Sequence, residues 1–370
     1  MSQIDKLKKS SIKDRLIFLL KDSVLYGGAT AVSRMFNILI FPLLTRIFTT
    51  AEVGALDGLI VVGIFLVVFI EMGQESAVAR YFYDTDDKAE KKQIVTQGLI
   101  MEMFLAVLVC SSLYMLAPLI ADAYLHSREQ LDSLRVVILT LPLMALVNYC
   151  QNLLKWTFSR TKFLIMTLGN AALFVLLVVL LFFLVEKEVV NYFYARIIGL
   201  SIFAGLGLFF IAKELTRNIS FNYVGRLFRY GWPLMILAGS SQILVLFNRE
   251  YVIDYMGLEM LGIYAVGAKV AQLMQYPLMG FKTAWPPFAF ALHKRDDAEE
   301  TYGVVLNYFA IVFSLFCCAL VVLAKPLTAI FAPPAFMIGI VVIVPLIFAH
   351  VAESFSHIKE IGISFSKKTN

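Results

Sequence analysis

Apolar runs of about 20 residues recur along almost the whole chain, separated only by short polar segments. A helical run of that length matches the ~30 Å hydrocarbon core of a bilayer, so the pattern demands helices packed in lipid. Composition agrees: 60% of the 370 residues are hydrophobic and 16% are charged, against about 25% charge in a soluble domain. A transmembrane barrel would need alternating strands of roughly ten residues, and none occur. The chain reads as an all-α polytopic membrane protein. Ten spans follow, near 23–45, 54–74, 94–118, 134–154, 163–185, 189–212, 232–255, 261–284, 303–324 and 336–357.

Positive charge orients these spans. With the N-terminus inside, segments 1–22, 80–93, 155–162, 213–230, 292–301 and 358–370 hold 22 Lys and Arg. The opposite loops hold four: Arg46, Arg128, Lys187 and Lys325. Cytoplasmic loops are enriched in Lys and Arg, so the bias puts the N-terminus in the cytoplasm and the chain in the cell inner membrane. Residues 1–22 carry Lys6, Lys8, Lys9, Lys13 and Arg15 in an amphipathic pattern with no cleavage site, the pattern of a segment lying on the inner surface.

A weak internal repeat divides the chain. Tyr26-Gly27 opens the first span and Tyr230-Gly231 the seventh, while Glu52-Val53-Gly54 and Glu259-Met260-Leu261-Gly262 follow those spans. Both copies start inside, which implies two parallel-repeat helical bundles about an axis normal to the membrane. The expected organisation is an amphipathic N-terminus (1–22), a six-helix bundle (23–212), a cytoplasmic linker (213–231), a partial bundle of four spans (232–357) and a cytoplasmic tail (358–370). The second half is two spans short of the first, the pattern of a chain truncated at its C-terminus.

Five cationic side chains fall well inside these spans: Arg34, Arg196, Arg249, Lys269 and Lys282. A charge at bilayer depth costs from about 3 to more than 10 kcal/mol, so such residues face an internal cavity or a partner. Five of one sign point to a path for something anionic. Arg34 lies 11 residues into its span, roughly 16 Å deep and close to the midplane; the alternative is a salt bridge to Asp57 or Glu102. Arg249 shares a helix face with Gln242, and the competing reading is that it neutralises an acid on another helix. Arg196 is near enough to an interface to snorkel. The eighth span carries a stripe of Lys269, Gln272, Gln275, Tyr276, Met279, Lys282 and Thr283, spaced by three and four residues on one face.

Other polar groups sit at inner ends. Glu71 and Glu75, four apart with Arg80 beyond, read either as an inner gate or as an ordinary interfacial ion pair. Asn148, Gln151, Asn152 and Lys155 share a face of the fourth span, where amides hold helices together. The cysteines Cys110, Cys150, Cys317 and Cys318 fall in apolar stretches as small core hydrophobes, and the four histidines are scattered. No catalytic grouping, metal cluster, cofactor motif or nucleic-acid-binding feature emerges, so the reading is of a non-enzyme.

Several segments resemble Wzx-type oligosaccharide flippases, polysaccharide exporters of the MATE-like superfamily. They are Tyr26-Gly27-Gly28, Phe41-Pro42-Leu43-Leu44-Thr45-Arg46, Ala51-Glu52-Val53-Gly54, the run from Glu75 to Tyr83, Tyr230-Gly231-Trp232-Pro233-Leu234, Asn248-Arg249-Glu250-Tyr251, Gly257-Leu258-Glu259 through Lys269, and Thr283-Ala284-Trp285-Pro286-Pro287-Phe288. The resemblance covers nearly the whole chain and implies paired six-helix bundles around a cationic cavity. Its implied cargo is a polyprenyl-diphosphate-linked oligosaccharide, an anionic lipid-linked substrate moved from inner to outer leaflet by alternating access. Substrate contacts would fall on Arg34, Arg249, Lys269, Gln272, Gln275, Lys282 and Arg196, and gating on Glu71, Glu75 and Arg80. Membrane lipid, a polymerase and glycosyltransferases of the same pathway are the implied partners. The family usually has 12 to 14 spans, so ten is a departure. A cation-coupled exporter of multiple drugs or other small molecules with the same fold is the alternative, as is an inactive truncated relative.

Overall fold

A computed structural model describes residues 12–126, 128–218, 220–278, 281, 285 and 298–352. Ten helices, with a five-residue helix at Arg160–Leu164 ahead of the sixth, organise them: α1 (Ile12–Ile47), α2 (Thr50–Glu71), α3 (Gln74–Asp84), α4 (Lys88–Ile120), α5 (Leu131–Trp156), α6 (Asn170–Leu184), α7 (Val189–Ile211), α8 (Val224–Gln272), α9 (Ala298–Val322) and α10 (Ala324–Phe331). A wider turn at Ile165–Gly169 leads into α6, and a final apolar stretch covers Pro334–Ala352. No strand occurs among the described residues. Nine described helices are long and apolar enough to cross a membrane, and the protein is a multi-pass helical membrane protein.

The difference from ten spans has one cause. The expected seventh and eighth spans are joined in α8, which breaks only at Gly257 (φ 81°, ψ 173°). That φ is open to glycine and strained for other residues, so a single residue does the work of a loop. The first helix also differs in extent: residues 12–22 continue the first span as one helix from Ile12.

Local chemistry fixes the other ends. Thr49 and Glu52 form a reciprocal capping box at the start of α2: the Thr49 hydroxyl accepts from the Glu52 N–H, and the Glu52 carboxylate accepts from the Thr49 N–H at 2.8 Å. Asp87 caps α4 by accepting from the Ala89 N–H at 3.0 Å. Between α2 and α3 the chain turns through left-handed Met72 and Gly73.

The contacts cluster into two units, Ile47–Gly262 and Met1–Arg46 with Ile263–Asn370. Inside the first, α5 packs on α7, α4 and α2 around fully buried Leu59, Ile94, Leu134, Ile138, Leu141 and Leu153. Near the start of α2 the backbones almost touch. A Cβ on Gly54 would fall 2.0 Å from the Leu258 carbonyl oxygen, and one on Gly262 would fall 1.9 Å from the Thr50 oxygen. The contact is reciprocal, because Thr50 and Leu258 each lie four residues before the glycine of their own helix and meet the glycine of the other. The two motifs of the internal repeat therefore meet each other.

Inside the second unit, the Thr45 hydroxyl donates to the Phe331 carbonyl at 2.6 Å, and Arg46 donates to Pro42 and Ile330 carbonyls at 2.8 and 3.1 Å. These bonds fasten the end of α1 to α10. Gly267 and Gly339 make another close backbone approach, where either Cβ would fall within 2.5 Å of a carbonyl oxygen.

Candidate functional site

In the unit containing both termini, α1 faces the final part of α8 in antiparallel register. The Lys269 ammonium sits 5.9 Å from the Phe41 ring centroid. One interval of seven residues away, Arg34 acts electrostatically on Tyr276. The pairs 41 with 269 and 34 with 276 keep a constant residue sum, as antiparallel neighbours must. Seven residues at 1.5 Å each set the two cationic positions roughly 10 Å apart along the helices. Between Lys269 and Tyr276 in sequence lie Gln272 and Gln275, both half-buried. The Gln275 amide lies 3.1 Å from Nδ1 of His350, so the polar face gathers groups from three segments.

The eighth-span stripe is not one regular helical face. After Gln272 the chain tightens, with Leu273 and Met274 N–H groups donating to the carbonyls of Val270 and Ala271. Pro277 explains the change: it has no N–H, and its ring would clash with the carbonyl of Leu273 in a continuous α-helix. Lys282, with Met279 and Thr283, lies outside the described residues.

Arg249 belongs to the 47–262 unit. Its Nε donates to the Asp57 carboxylate at 3.3 Å, and the two side chains are only 15% and 10% exposed. Tyr124 shares the field of both members of this pair, and Tyr192 that of Asp57 and of Arg196. The Tyr124 hydroxyl is buried without a hydrogen-bond partner among the described residues. Arg196 lies over the Phe174 ring at 5.3 Å, and its Nη2 is 3.9 Å from the Met144 sulfur. It is half-buried between helices, so packing, rather than reach to an interface, accounts for its place.

The expected gate residues gather in the same unit. The Asn148 amide donates to Glu71 at 2.7 Å, Lys155 donates to Glu75 at 3.1 Å, and the Arg80 guanidinium lies 4.9 Å over the Tyr230 ring. Glu75 thus takes its basic partner from α5, and Arg80 an aromatic one from α8. Glu102 on α4 is 2% exposed, and Glu71 and Glu75 are its electrostatic neighbours.

Two contributors escaped the sequence reading, His350 and the Glu102 environment. The sequence signal for Glu102 was available, since an acid eight residues inside an apolar run is expensive. His350 carried none, because its neighbour Gln275 is 75 residues away. Among the cysteines, Cys110, Cys150 and Cys317 are buried as expected, whereas Cys318 is exposed.

The arrangement defines a class: an all-helical multi-pass membrane protein with polar and charged groups gathered inside apolar helices, the build of a transporter. Similar solved structures agree on the fold. A MOP superfamily transporter from Pyrococcus furiosus, described as having a binding pocket of reversed polarity that suggests a different function, matches with TM-score 0.67 and 15% identity, covering 92% of this chain and 81% of that one. The MATE multidrug transporter DinF-BH matches with TM-score 0.61 and 15% identity over 85% and 72% of the two chains. An uncharacterized membrane protein of Haemophilus influenzae is 25% identical over 291 residues, 76% of this chain and 67% of the relative. Residues 19–293 match the sequence model of the polysaccharide biosynthesis protein family. The chain belongs to that family, in keeping with its resemblance to Wzx-type flippases.

Proposed function

We propose that this protein is a flippase that moves a polyprenyl-diphosphate-linked oligosaccharide from the inner to the outer leaflet of the cytoplasmic membrane. The observation that carries the reading is the antiparallel register of Arg34 and Lys269 on facing helix segments, with Gln272 and Gln275 between Lys269 and Tyr276 in sequence. A diphosphate crossing hydrocarbon needs compensating positive charge, which Arg supplies as a planar fork and Lys as a mobile point charge. The amides and the Tyr276 hydroxyl suit sugar hydroxyls and phosphate oxygens. Lys282, thirteen residues after Lys269 in sequence, is assigned to the same path. Arg249, paired to Asp57, and Arg196, stacked on Phe174, are assigned to shaping the 47–262 unit.

Family membership supports a cargo drawn from polysaccharide synthesis, with glycosyltransferases supplying it and a polymerase consuming it. Glu71, Glu75 and Arg80 serve as the inner gate, making and breaking their Asn148, Lys155 and Tyr230 contacts as access alternates.

The test is the leaflet location of lipid-linked oligosaccharide in cells lacking the protein. Inner-leaflet accumulation should be relieved by the wild-type chain and not by Arg34→Ala or Lys269→Ala expressed at equal level. Full relief by both variants would remove this face from the mechanism. No accumulation in cells without a redundant exporter would overturn the cargo.

A further inference from the structure

The stretch between α7 and α8 reads as a linker in sequence, yet α4 holds it bond by bond. Glu90, Gln93, Thr96 and Gln97 recur at intervals of three and four residues on one face of α4, and each engages the segment that leads into α8. The Thr216 N–H donates to the Thr96 hydroxyl at 3.0 Å. The Ser220 N–H and hydroxyl both donate to the Gln93 amide oxygen, at 3.1 and 3.2 Å, and the Tyr223 N–H donates to the Gln97 amide oxygen at 2.8 Å. In return the Gln93 amide nitrogen donates to the Asn218 carbonyl, and the Tyr223 hydroxyl donates to Glu90. All of these residues belong to the 47–262 unit.

Three of the bonds are made by backbone N–H groups, which a solvated linker would give to water. Their direction fixes both amides, because each oxygen must face an N–H donor and each nitrogen is left to donate elsewhere. Gln97 is 0% exposed, and its nitrogen lies 3.4 Å from both the Gln93 oxygen and the Ser220 hydroxyl. A buried amide is costly unless bonded, so a network with these groups engaged selects one path for the segment. The last bond falls on Tyr223, whose carbonyl accepts from the Leu227 N–H at 2.8 Å and so opens α8. The Tyr81 ring of α3 meets the Tyr223 ring edge-on at 6.0 Å. The start of α8 is therefore fastened from two neighbouring helices.

We propose that Gln93 and Gln97 are positioning residues that make segment 216–223 a fixed strap, keeping the start of α8 against α4 throughout the transport cycle. The contact between Arg80 and Tyr230 lies seven residues past Tyr223, roughly 10 Å along the helix, so it can be made and broken while the strap holds. The strap then serves as the pivot for α8 at this end. Its part in a cycle rests on the flippase reading, while the strap itself does not.

Amide hydrogen exchange on the purified 370-residue chain in lipid nanodiscs tests the strap without cargo. Segment 214–224 should be protected in the wild type. Gln93→Ala combined with Gln97→Ala should speed its exchange by roughly tenfold, while α5 and α7 keep their protection. Should the double variant fail to fold, Gln93→Ala alone, at a half-buried position, should show the same change at Ser220. Fast exchange in the wild type, or equal exchange in the variant, overturns the strap. Permanence is read from Thr96→Cys with Thr216→Cys, two short side chains on residues already in contact, with Cys318, the exposed native cysteine, changed to Ser. Oxidation should join the pair, and the joined protein should flip lipid-linked oligosaccharide in vesicles as fast as the reduced one. A pair that does not join overturns the strap, and flipping that stops on oxidation and returns on reduction overturns the fixed pivot. Absence of flipping by the wild type overturns the cargo reading alone, since the exchange result still decides the strap.

Discussion

At the scale of single residues, the most telling contact is the one between Arg249 and Asp57. Helical spacing alone marks Arg249 as a cation inside a span, but its partner lies 192 residues away. Periodicity identifies the face a residue occupies and carries no information about which helix stands opposite. That gap separates a cargo-binding arginine from a structural one, and the pairing is the ground on which a structural role is proposed. Asp57→Asn should therefore destabilise the protein by about 3 kcal/mol, because it strands a largely buried guanidinium. Adding Arg249→Gln should recover most of that loss, and with it export, which thermal unfolding and the leaflet assay would show together. Recovery of stability without export would return Arg249 to the cargo path. Tyr223 makes a second residue-scale case, outside the membrane. Its hydroxyl donates to Glu90, and that bond, ahead of desolvation and the Glu90 charge, raises its pKa above the ordinary 10.0. A folded value above the unfolded one means the contact stabilises fully below pH 10 and is lost as pH rises through the folded value. Subtracting the tyrosinate absorbance titration of Tyr223→Phe from that of the wild type should isolate a group ionising above pH 10, and Glu90→Gln should bring it back toward 10.

Elements were the most legible level, within limits set by backbone geometry. Among the described residues the apolar runs are helical, and the motif Ala51-Glu52-Val53-Gly54 contains half of a capping box. Segment 256–260 read as a loop, yet only Gly257 leaves helical geometry; charged and small residues look the same in a kink as in a loop. The stripe after Lys269 was regular in sequence and irregular in space, because Pro277 acts four residues upstream of itself on Leu273. Close backbone approach was likewise hidden until the glycines were seen together. Gly54 and Gly262 each face a carbonyl oxygen that cannot rotate away, so Gly262→Ala must separate α2 from α8. A loss of about 1–3 kcal/mol is expected, in the range of overpacked cores, read as a lowered midpoint of thermal unfolding. Gly225 and Gly205, where a Cβ meets nothing within 4 Å, are the internal controls. Replacing either with Ala should be neutral or stabilising by up to about 1 kcal/mol, since a helical glycine gives up helix propensity. Equal behaviour at all three positions would mean that the α2–α8 approach is not the tight contact described.

For the whole molecule, the direction of transport depends on which ends of the helices face the cytoplasm, and that was argued from charge alone. The argument is physical: Lys and Arg flanking a span resist translocation, so loops that carry them stay inside. Helix packing is nearly blind to this, since inverting the protein in the bilayer leaves every internal contact intact. The distribution of 22 basic residues against four therefore does what the fold does not. It predicts that Asp86, in the turn between α3 and α4, lies in the cytoplasm, and Lys187, in the turn between α6 and α7, outside. Both side chains are exposed and suit thiol labelling once Cys318, the exposed native cysteine, is changed to Ser. An impermeant thiol reagent applied to intact cells should label Lys187→Cys at once and Asp86→Cys only after permeabilisation. The opposite pattern would invert the membrane placement, turning the gate at Glu71, Glu75 and Arg80 outward, so that inner-leaflet cargo would meet the wrong end of the protein.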